Sequence, residues 1–322
     1  MIRKACLPIL CSLLWVGFAN GQAPPSNETA PTPSNILKKA VAFVSVDYLK
    51  HNELWKARGT GFFVFVKDQR LGEKRGFVYL VTNRHVAQPE DSGRRFEVVS
   101  VSLRLNLKAS VQEQESEGAF ISISGNLPWY FPADDSVDLA VLPIAPDQQK
   151  YDYLPIPMSM FGTRDVLKSN AIAEGDRVFF VGYFYQFPGL KKTEPIIREG
   201  VLAMMPEEKM ETTLHKMGWL YLADVHTFGG NSGAPLFVNI ATPRGTVLTF
   251  TEDPYRLVGV VSGYFFEDVN FKLTVATTLE GKGQANSGIS TVVPVDELKA
   301  LLESPELQRG RDAWVARLKT RQ

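Results

Sequence analysis

Cysteine is nearly missing from this chain: 322 residues hold two, Cys6 and Cys11. Both fall inside an N-terminal apolar stretch that reads as removable, so the remaining chain holds no thiol. That excludes disulfides, a cysteine nucleophile and a thiolate metal site, and it leaves the folded part dependent on its own core. Net charge is missing as well, because 35 basic residues balance 35 acidic ones. No basic excess favours nucleic acid or an anionic membrane surface as a partner. Long hydrophobic runs are lacking; the stretch from Cys6 to Phe18 is short for a membrane span and contains Pro8. Histidine is scarce, with four in all, and helical patterns are few. No metal ion and no organic cofactor is expected.

What is present begins with an export signal. Arg3 and Lys4 precede the apolar stretch, and the small residues Ala19, Gly21 and Ala23 follow it, so residues 1–23 read as a signal peptide cleaved after Gly21 or Ala23. Leu10 occupies the place where lipid attachment at Cys11 needs a small residue. No stable membrane anchor is expected after removal. Loss of Arg3 and Lys4 leaves 33 basic and 35 acidic residues, a net charge of −2. Residues 24–35 are rich in Pro, Ser and Thr and read as a disordered linker. Asn27-Glu28-Thr29 fits a glycosylation sequon that matters only in a eukaryotic host.

From Ile36 the pattern turns to strands. Ala42–Val46 is a strand candidate, and Gly59–Val66 with Gly76–Thr82 reads as a hairpin around a charged turn. Phe96–Leu105, Ala119–Ser124, Leu139–Ile144, Arg177–Tyr185, Gly200–Met204, Leu220–Val225, Ala234–Val238, Leu257–Val261 and Ile289–Val293 complete the set. Many short strands separated by turn residues predict an all-β barrel or sandwich. Helix is expected after Pro294, with Leu298, Leu301 and Leu302 on one face, and from Pro305 to Arg321 with Ser304 as N-cap.

Three short blocks carry chemistry. Gly229-Gly230-Asn231-Ser232-Gly233-Ala234-Pro235 presents a serine on a tight glycine turn. Thr82-Asn83-Arg84-His85-Val86-Ala87 sets a histidine directly after an apolar run. Val137-Asp138-Leu139-Ala140-Val141-Leu142 sets a carboxylate at the mouth of a buried strand. An alcohol is a weak nucleophile at neutral pH and needs a base, and the base needs an orienting group. Ser232 is the candidate nucleophile, His85 the general base and then acid, and Asp138 the group that fixes the imidazole tautomer. The N–H groups of Gly230 and Ser232 are the candidate oxyanion donors.

In this order, His then Asp then Ser, the blocks resemble the trypsin-like (chymotrypsin-fold) serine peptidases, and most closely the bacterial Deg/Htr-type branch. Gly59-Thr60-Gly61-Phe62 is similar to that family's first hairpin. Glu174-Gly175-Asp176-Arg177-Val178 and Arg198-Glu199-Gly200-Val201-Leu202 resemble its mid-domain strands, and Val293-Pro294-Val295-Asp296-Glu297-Leu298 its closing strand-to-helix junction. The resemblance covers residues 36–302 and implies two six-stranded antiparallel β-barrels with the site between them, followed by a helical tail over 303–322. It implies a serine endopeptidase acting on protein or peptide substrates. Ser262 would then support Asp138, Gly263 and Tyr264 would form the wall of the primary specificity pocket, and His226 would stand at its base. Asn231 replaces the aspartate that pairs with a new N-terminus in activated digestive relatives, so no cleavage-driven activation is expected. An exported chain of this kind without disulfides points to a bacterial envelope, periplasmic or secreted.

The sequence departs from that branch in two places. The stretch after the first C-terminal helix is too short for the PDZ module the branch usually carries, so none is expected. An aromatic run, Tyr183-Phe184-Tyr185-Gln186-Phe187, also intervenes where a proline is common, and it reads as a core edge in preference to a surface contact. Oligomeric state is left open by the sequence.

Overall fold

The computed structural model describes residues 33–108, 119–124, 127–212, 214–241, 253–274 and 278–320. The expected signal peptide and residues 24–32 of the expected linker lie outside the described residues. Residues 33–35 do not continue that linker: they open a helix, α1 (Pro33–Lys38). Its anchor is Leu37, which buries into the core.

The N-terminal half is a sheet built on a long hairpin, β1 (Val41–Lys50) and β2 (Glu53–Lys67), with β3 (Gly76–Thr82), β4 (Glu97–Leu105), β5 (Ala119–Ser124) and β6 (Ala140–Pro143). Its antiparallel order is β5-β4-β1-β2-β3-β6, and a short strand β7 (Ile156–Pro157) pairs parallel to β2. Among the described residues no ladder joins β5 to β6, so the described pairings trace a path of strands and do not themselves show the second barrel closed. β2 runs between two neighbours, and from Gly59 to Val64 it is buried on both faces. Phe62 and Val64 enter one core cluster and Phe63 enters another, following the two-residue alternation of a strand.

The C-terminal half is a closed six-stranded antiparallel barrel. Its strands are β8 (Arg177–Gly182), β9 (Ile196–Met204), β10 (Tyr221–Asp224), β11 (Pro235–Asn239), β12 (Tyr255–Thr274) and β13 (Thr278–Pro294), in the circular order β8-β9-β10-β13-β12-β11. Its interior holds Val178, Phe180, Leu202, Ala223, Leu236 and Val261. β12 and β13 are far longer than the apolar runs Leu257–Val261 and Ile289–Val293 that signal them. Beyond the barrel, among the described residues, they pair with each other down to Thr274↔Thr278.

The cluster that Phe62 and Val64 enter forms the seam between the halves, joining them, Val81 and Leu139 to Val181, Tyr183, Val260 and Val293. Two helices close it: α4 (Val295–Leu302) and α5 (Pro305–Lys319), with Ser304 accepting from the Leu307 N–H as N-cap. The tail expected over 303–322 is therefore a docked helix over its described length. The buried Arg311 donates through Nη1 to Tyr79 Oη at 3.1 Å and to the Leu302 carbonyl at 2.9 Å. Trp314 packs edge-on to Phe77 with centroids 5.4 Å apart, and Arg70 pairs with Asp312 at 2.7 Å. A further short helix, α3 (Arg164–Ser169), has no clear signal in the sequence.

Candidate active site

Strand pairing brings the three blocks to the seam. β3 and β6 run antiparallel with Thr82 opposite Ala140, so the residues just after β3 meet those just before β6. The four-residue helix Arg84–Ala87, α2, then turns His85 towards Asp138. On the other side, Pro235 opens β11 opposite Val260 of β12. The turn that precedes Pro235 therefore lies beside Ser262.

The His85–Asp138 pair is tightly held. His85 Nδ1 lies 2.7 Å from Asp138 Oδ2, and the His85 backbone N–H donates to Asp138 Oδ1 at 3.1 Å. One carboxylate thus grips both the ring and the backbone of the same residue and sets the ring's orientation. Ser262 Oγ donates to Asp138 Oδ2 at 2.7 Å, and Asn83 Nδ2 donates to the Asp138 carbonyl at 2.8 Å. Asp138 is 2% exposed, whereas the His85 side chain keeps 38% exposure. Burial disfavours the Asp138 anion, but the facing imidazole and three donated hydrogen bonds prevail and hold its carboxyl below the usual range. Burial likewise disfavours the imidazolium, and the carboxylate against Nδ1 prevails there too, raising His85 above its ordinary value.

Ser232 joins this pair through Ser262. Ser232 Oγ donates to the Ser262 carbonyl at 3.4 Å, while the hydroxyl of the same Ser262 donates to Asp138. No hydrogen bond links Ser232 to His85. Such contacts are often long in unliganded sites of this chemistry.

The turn around Ser232 is fixed by backbone needs. Gly230 has φ +98° and Gly233 φ +87°, both in the left-handed region where a side chain is strained. The N–H groups of Asn231, Gly233 and Ala234 are bonded to Phe228 O, Val261 O and Asn231 O. Those of Gly230 and Ser232 have no acceptor among the described residues. Two unpaired N–H donors flanking one serine can stabilise a developing negative charge.

Thr60 and Asn231 hold this turn and Asn83 holds Asp138; from the sequence, Thr60 and Asn83 carry no expected role and Asn231 only part of one. Thr60 donates its N–H to the Ser232 carbonyl at 2.8 Å; its Oγ1 donates to the Gly230 carbonyl at 2.7 Å and accepts from the Tyr183 N–H. Asn83 binds the Asp138 backbone. Asn231 is fully buried: its Oδ1 accepts from the Phe228 N–H at 2.7 Å and its Nδ2 donates to the Tyr183 carbonyl at 2.9 Å. An uncharged side chain thus orders the turn from within. Thr60 and Asn83 stand inside the Gly-Thr-Gly and Thr-Asn-Arg-His blocks, which is the signal that marks them.

The residues expected to form the specificity pocket lie on two segments. Ser262 is buried and bound to Asp138, Gly263 and Tyr264 follow it on β12, and the Tyr264 ring meets Phe266 at 4.9 Å. His226 is exposed and lies beside Gly288. Alternation turns its neighbour Thr227 inward instead, where Thr227 Oγ1 meets Ser290 Oγ at 2.8 Å. The aromatic run divides: Tyr183 is fully buried and Phe184 half-buried, as a core edge requires, but Tyr185 and Phe187 are exposed. Among the described residues no cluster of His, Cys, Asp and Glu could hold a metal ion, and no helix is long and apolar enough to cross a membrane.

The profile of the trypsin-like peptidase domain matches residues 59–242, more than half of the chain. The chain belongs to the trypsin-like peptidase family. Solved structures similar to it include the HtrA-type protease AlgW with tripeptide, at 16% identity and a TM-score of 0.47, covering 85% of this chain and 64% of that one. AlgW with decapeptide matches at 15% identity and a TM-score of 0.46, covering 84% of this chain and 66% of that one. The crystal structure of Deg5 matches at 19% identity and a TM-score of 0.41, covering 82% and 89%. This chain thus spans less than two thirds of the first of these structures. No match is found among curated proteins.

Proposed function

We propose that this protein is an exported serine endopeptidase that hydrolyses peptide bonds through an acyl-enzyme. The observation that carries the reading is the His85–Asp138 pair at 2.7 Å, linked by Ser262 to a serine flanked by two unpaired N–H groups. In this mechanism Ser232 Oγ attacks the scissile carbonyl while His85 Nε2 takes its proton. The tetrahedral oxyanion is held by the N–H groups of Gly230 and Ser232. The imidazolium, stabilised by Asp138, then gives its proton to the leaving amine. Water repeats the sequence in reverse to free the acid. The direct test is labelling by a serine-directed phosphonate: the adduct is expected on Ser232, and an unmodified Ser232 in folded protein would sink the reading.

A second reading is a binding protein of the same fold with little turnover. The hydrogen bond from Ser232 Oγ to Ser262, in place of one to His85, is the observation that favours it. Protein that refuses both the phosphonate and a denatured protein substrate across the pH range would decide for this alternative.

The raised His85 sets a pH signature. Only neutral imidazole accepts the serine proton, so kcat/KM falls as pH drops through the folded pKa of His85. Because the Asp138 carboxylate raises that pKa, the midpoint of the acid limb is expected above the ordinary histidine value of about 6.5. A flat profile between neutral and mildly acidic pH contradicts the assignment.

Export to a bacterial periplasm or the medium rests on Arg3, Lys4 and the apolar stretch that follows. Protein recovered outside the cytoplasm is expected to begin at Gln22 or Pro24 on N-terminal sequencing. A retained Met1 counts against it. Within the specificity pocket, Ser262, Gly263 and Tyr264 are proposed as the wall, with His226 as a polar group near its base.

A further inference from the structure

The loop between β8 and β9 presents apolar rings to water beside the candidate site. Phe187 is 73% exposed, Tyr185 40% and, across from them, Phe228 41%. Phe184 links the three, with centroids 6.3 Å from Tyr185, 6.0 Å from Phe187 and 6.0 Å from Phe228. Four rings in contact on a surface are unusual, because water penalises such area unless something covers it.

The loop is held in place. The buried Arg104 of β4 donates through Nη1 to the Gly189 carbonyl and through Nη2 to the Leu190 carbonyl, each at 2.6 Å. Asn106 Nδ2 donates to the Thr193 carbonyl at 3.1 Å, and the Thr193 N–H donates back to Asn106 Oδ1 at 2.8 Å. The Phe187 N–H closes a turn on the Phe184 carbonyl at 2.9 Å. The exposed rings therefore sit on a fixed platform.

That platform is continuous with the turn that carries Ser232. Phe228 immediately precedes Gly229-Gly230, and its N–H is bound by Asn231 Oδ1. A Cβ on Gly229 would touch the Tyr185 ring, and one on Gly230 would meet the Tyr183 carbonyl and the Tyr185 N–H. Arg198 closes the far side, its guanidinium 5.0 Å from the Phe228 ring centre. An extended polypeptide advances about 3.3 Å per residue and turns alternate side chains to one face. With its carbonyl at the Gly230 and Ser232 N–H groups, the residues next to the scissile bond are within reach of these rings.

We propose that Tyr185, Phe187 and Phe228 form a specificity surface that receives a large apolar side chain of the polypeptide substrate, within two residues of the scissile bond. The inference rests on the peptidase reading above and names part of its substrate class. The occupant is the substrate because the surface borders the candidate oxyanion turn and is tied to it by the Asn231 hydrogen bonds.

The test is a peptide-library digest with mass-spectrometric mapping of cut sites, comparing the unaltered protein with Phe187→Ala, Phe187→Leu and, as a control on the same loop, Gln186→Ala. The unaltered protein is expected to favour Phe, Leu or Met at one flanking position over Ser or Gly. In Phe187→Ala the ratio of kcat/KM between peptides with Phe and with Ser there falls about tenfold or more. Phe187→Leu falls between the two, and Gln186→Ala keeps the original ratio. Unchanged maps for both Phe187 variants overturn the inference while leaving the peptidase reading intact. Absence of phosphonate labelling and of cleavage in the unaltered protein overturns both. Sedimentation of the same proteins covers the remaining case: if Phe187→Ala dissociates an oligomer and leaves the map unchanged, the rings join copies of the chain and the inference fails.

Discussion

Ser232→Ala is expected to lower peptide hydrolysis on the order of a million-fold, the scale on which a triad serine counts in this mechanism. The reason is that the serine supplies the only bond to substrate in the proposed cycle. Without its oxygen, neither His85 nor Asp138 has a reaction to assist, and the losses of the three groups do not add. The substitution is mild for the fold. Ser232 is outside the left-handed backbone region, its carbonyl still accepts from Thr60, and Gly230 and Gly233 still set the turn. The unpaired N–H groups of the turn also remain, so a residual rate above the uncatalysed one is expected from charge stabilisation alone. Active-site titration beside kcat measures this. A variant that retains even a tenth of the activity requires another nucleophile and removes Ser232 from its role.

Asp138→Asn should cost about 10⁴-fold in kcat, the magnitude attached to tautomer loss in this kind of triad. The asparagine keeps the volume of the carboxylate. Oriented to keep accepting from the His85 N–H, it presents its amide NH₂ to Nδ1. The imidazole then accepts at Nδ1 and carries its proton on Nε2, the nitrogen that must receive the serine proton. Loss of the negative charge also removes what raises His85. The acid limb of the residual activity is therefore expected to move to lower pH. A purely structural role for Asp138 predicts a lower melting temperature and an unmoved limb, so the pH profile separates the two accounts.

Much of the architecture was legible from residue pattern. Phe62-Phe63-Val64 and Tyr79-Leu80-Val81 are buried strands flanked by turn residues, and they form the hairpin expected of them. Helices α4 and α5 begin where Pro294 and Ser304 announce them. The outer halves of β12 and β13 were not read as strands from the sequence; there the two pair with each other down to Thr274↔Thr278. At the candidate site, Ser262 was expected beside Asp138 by resemblance, and its hydroxyl lies 2.7 Å from that carboxylate. Thr60 was not foreseen, because its two contacts on the serine turn, Gly230 and Ser232, lie about half the chain away. The exposure of Tyr185 and Phe187 was misread for a related reason: a run of aromatic residues looks the same in sequence whether it faces a core or is held outward by an arginine on another strand.

By itself the sequence set out the groups from which a site can be built: one serine on a glycine turn, one histidine after a strand, one aspartate before another, and no cysteine outside the N-terminal apolar stretch. These are local facts, because glycine angles, turn residues and apolar alternation act over a few neighbours. Only the tertiary structure decided which hydroxyl meets which carbonyl, which N–H groups stay unpaired, and which aromatic rings remain in water. Those outcomes depend on strand pairing between residues far apart in the chain, where a shift of one position turns every side chain to the opposite face.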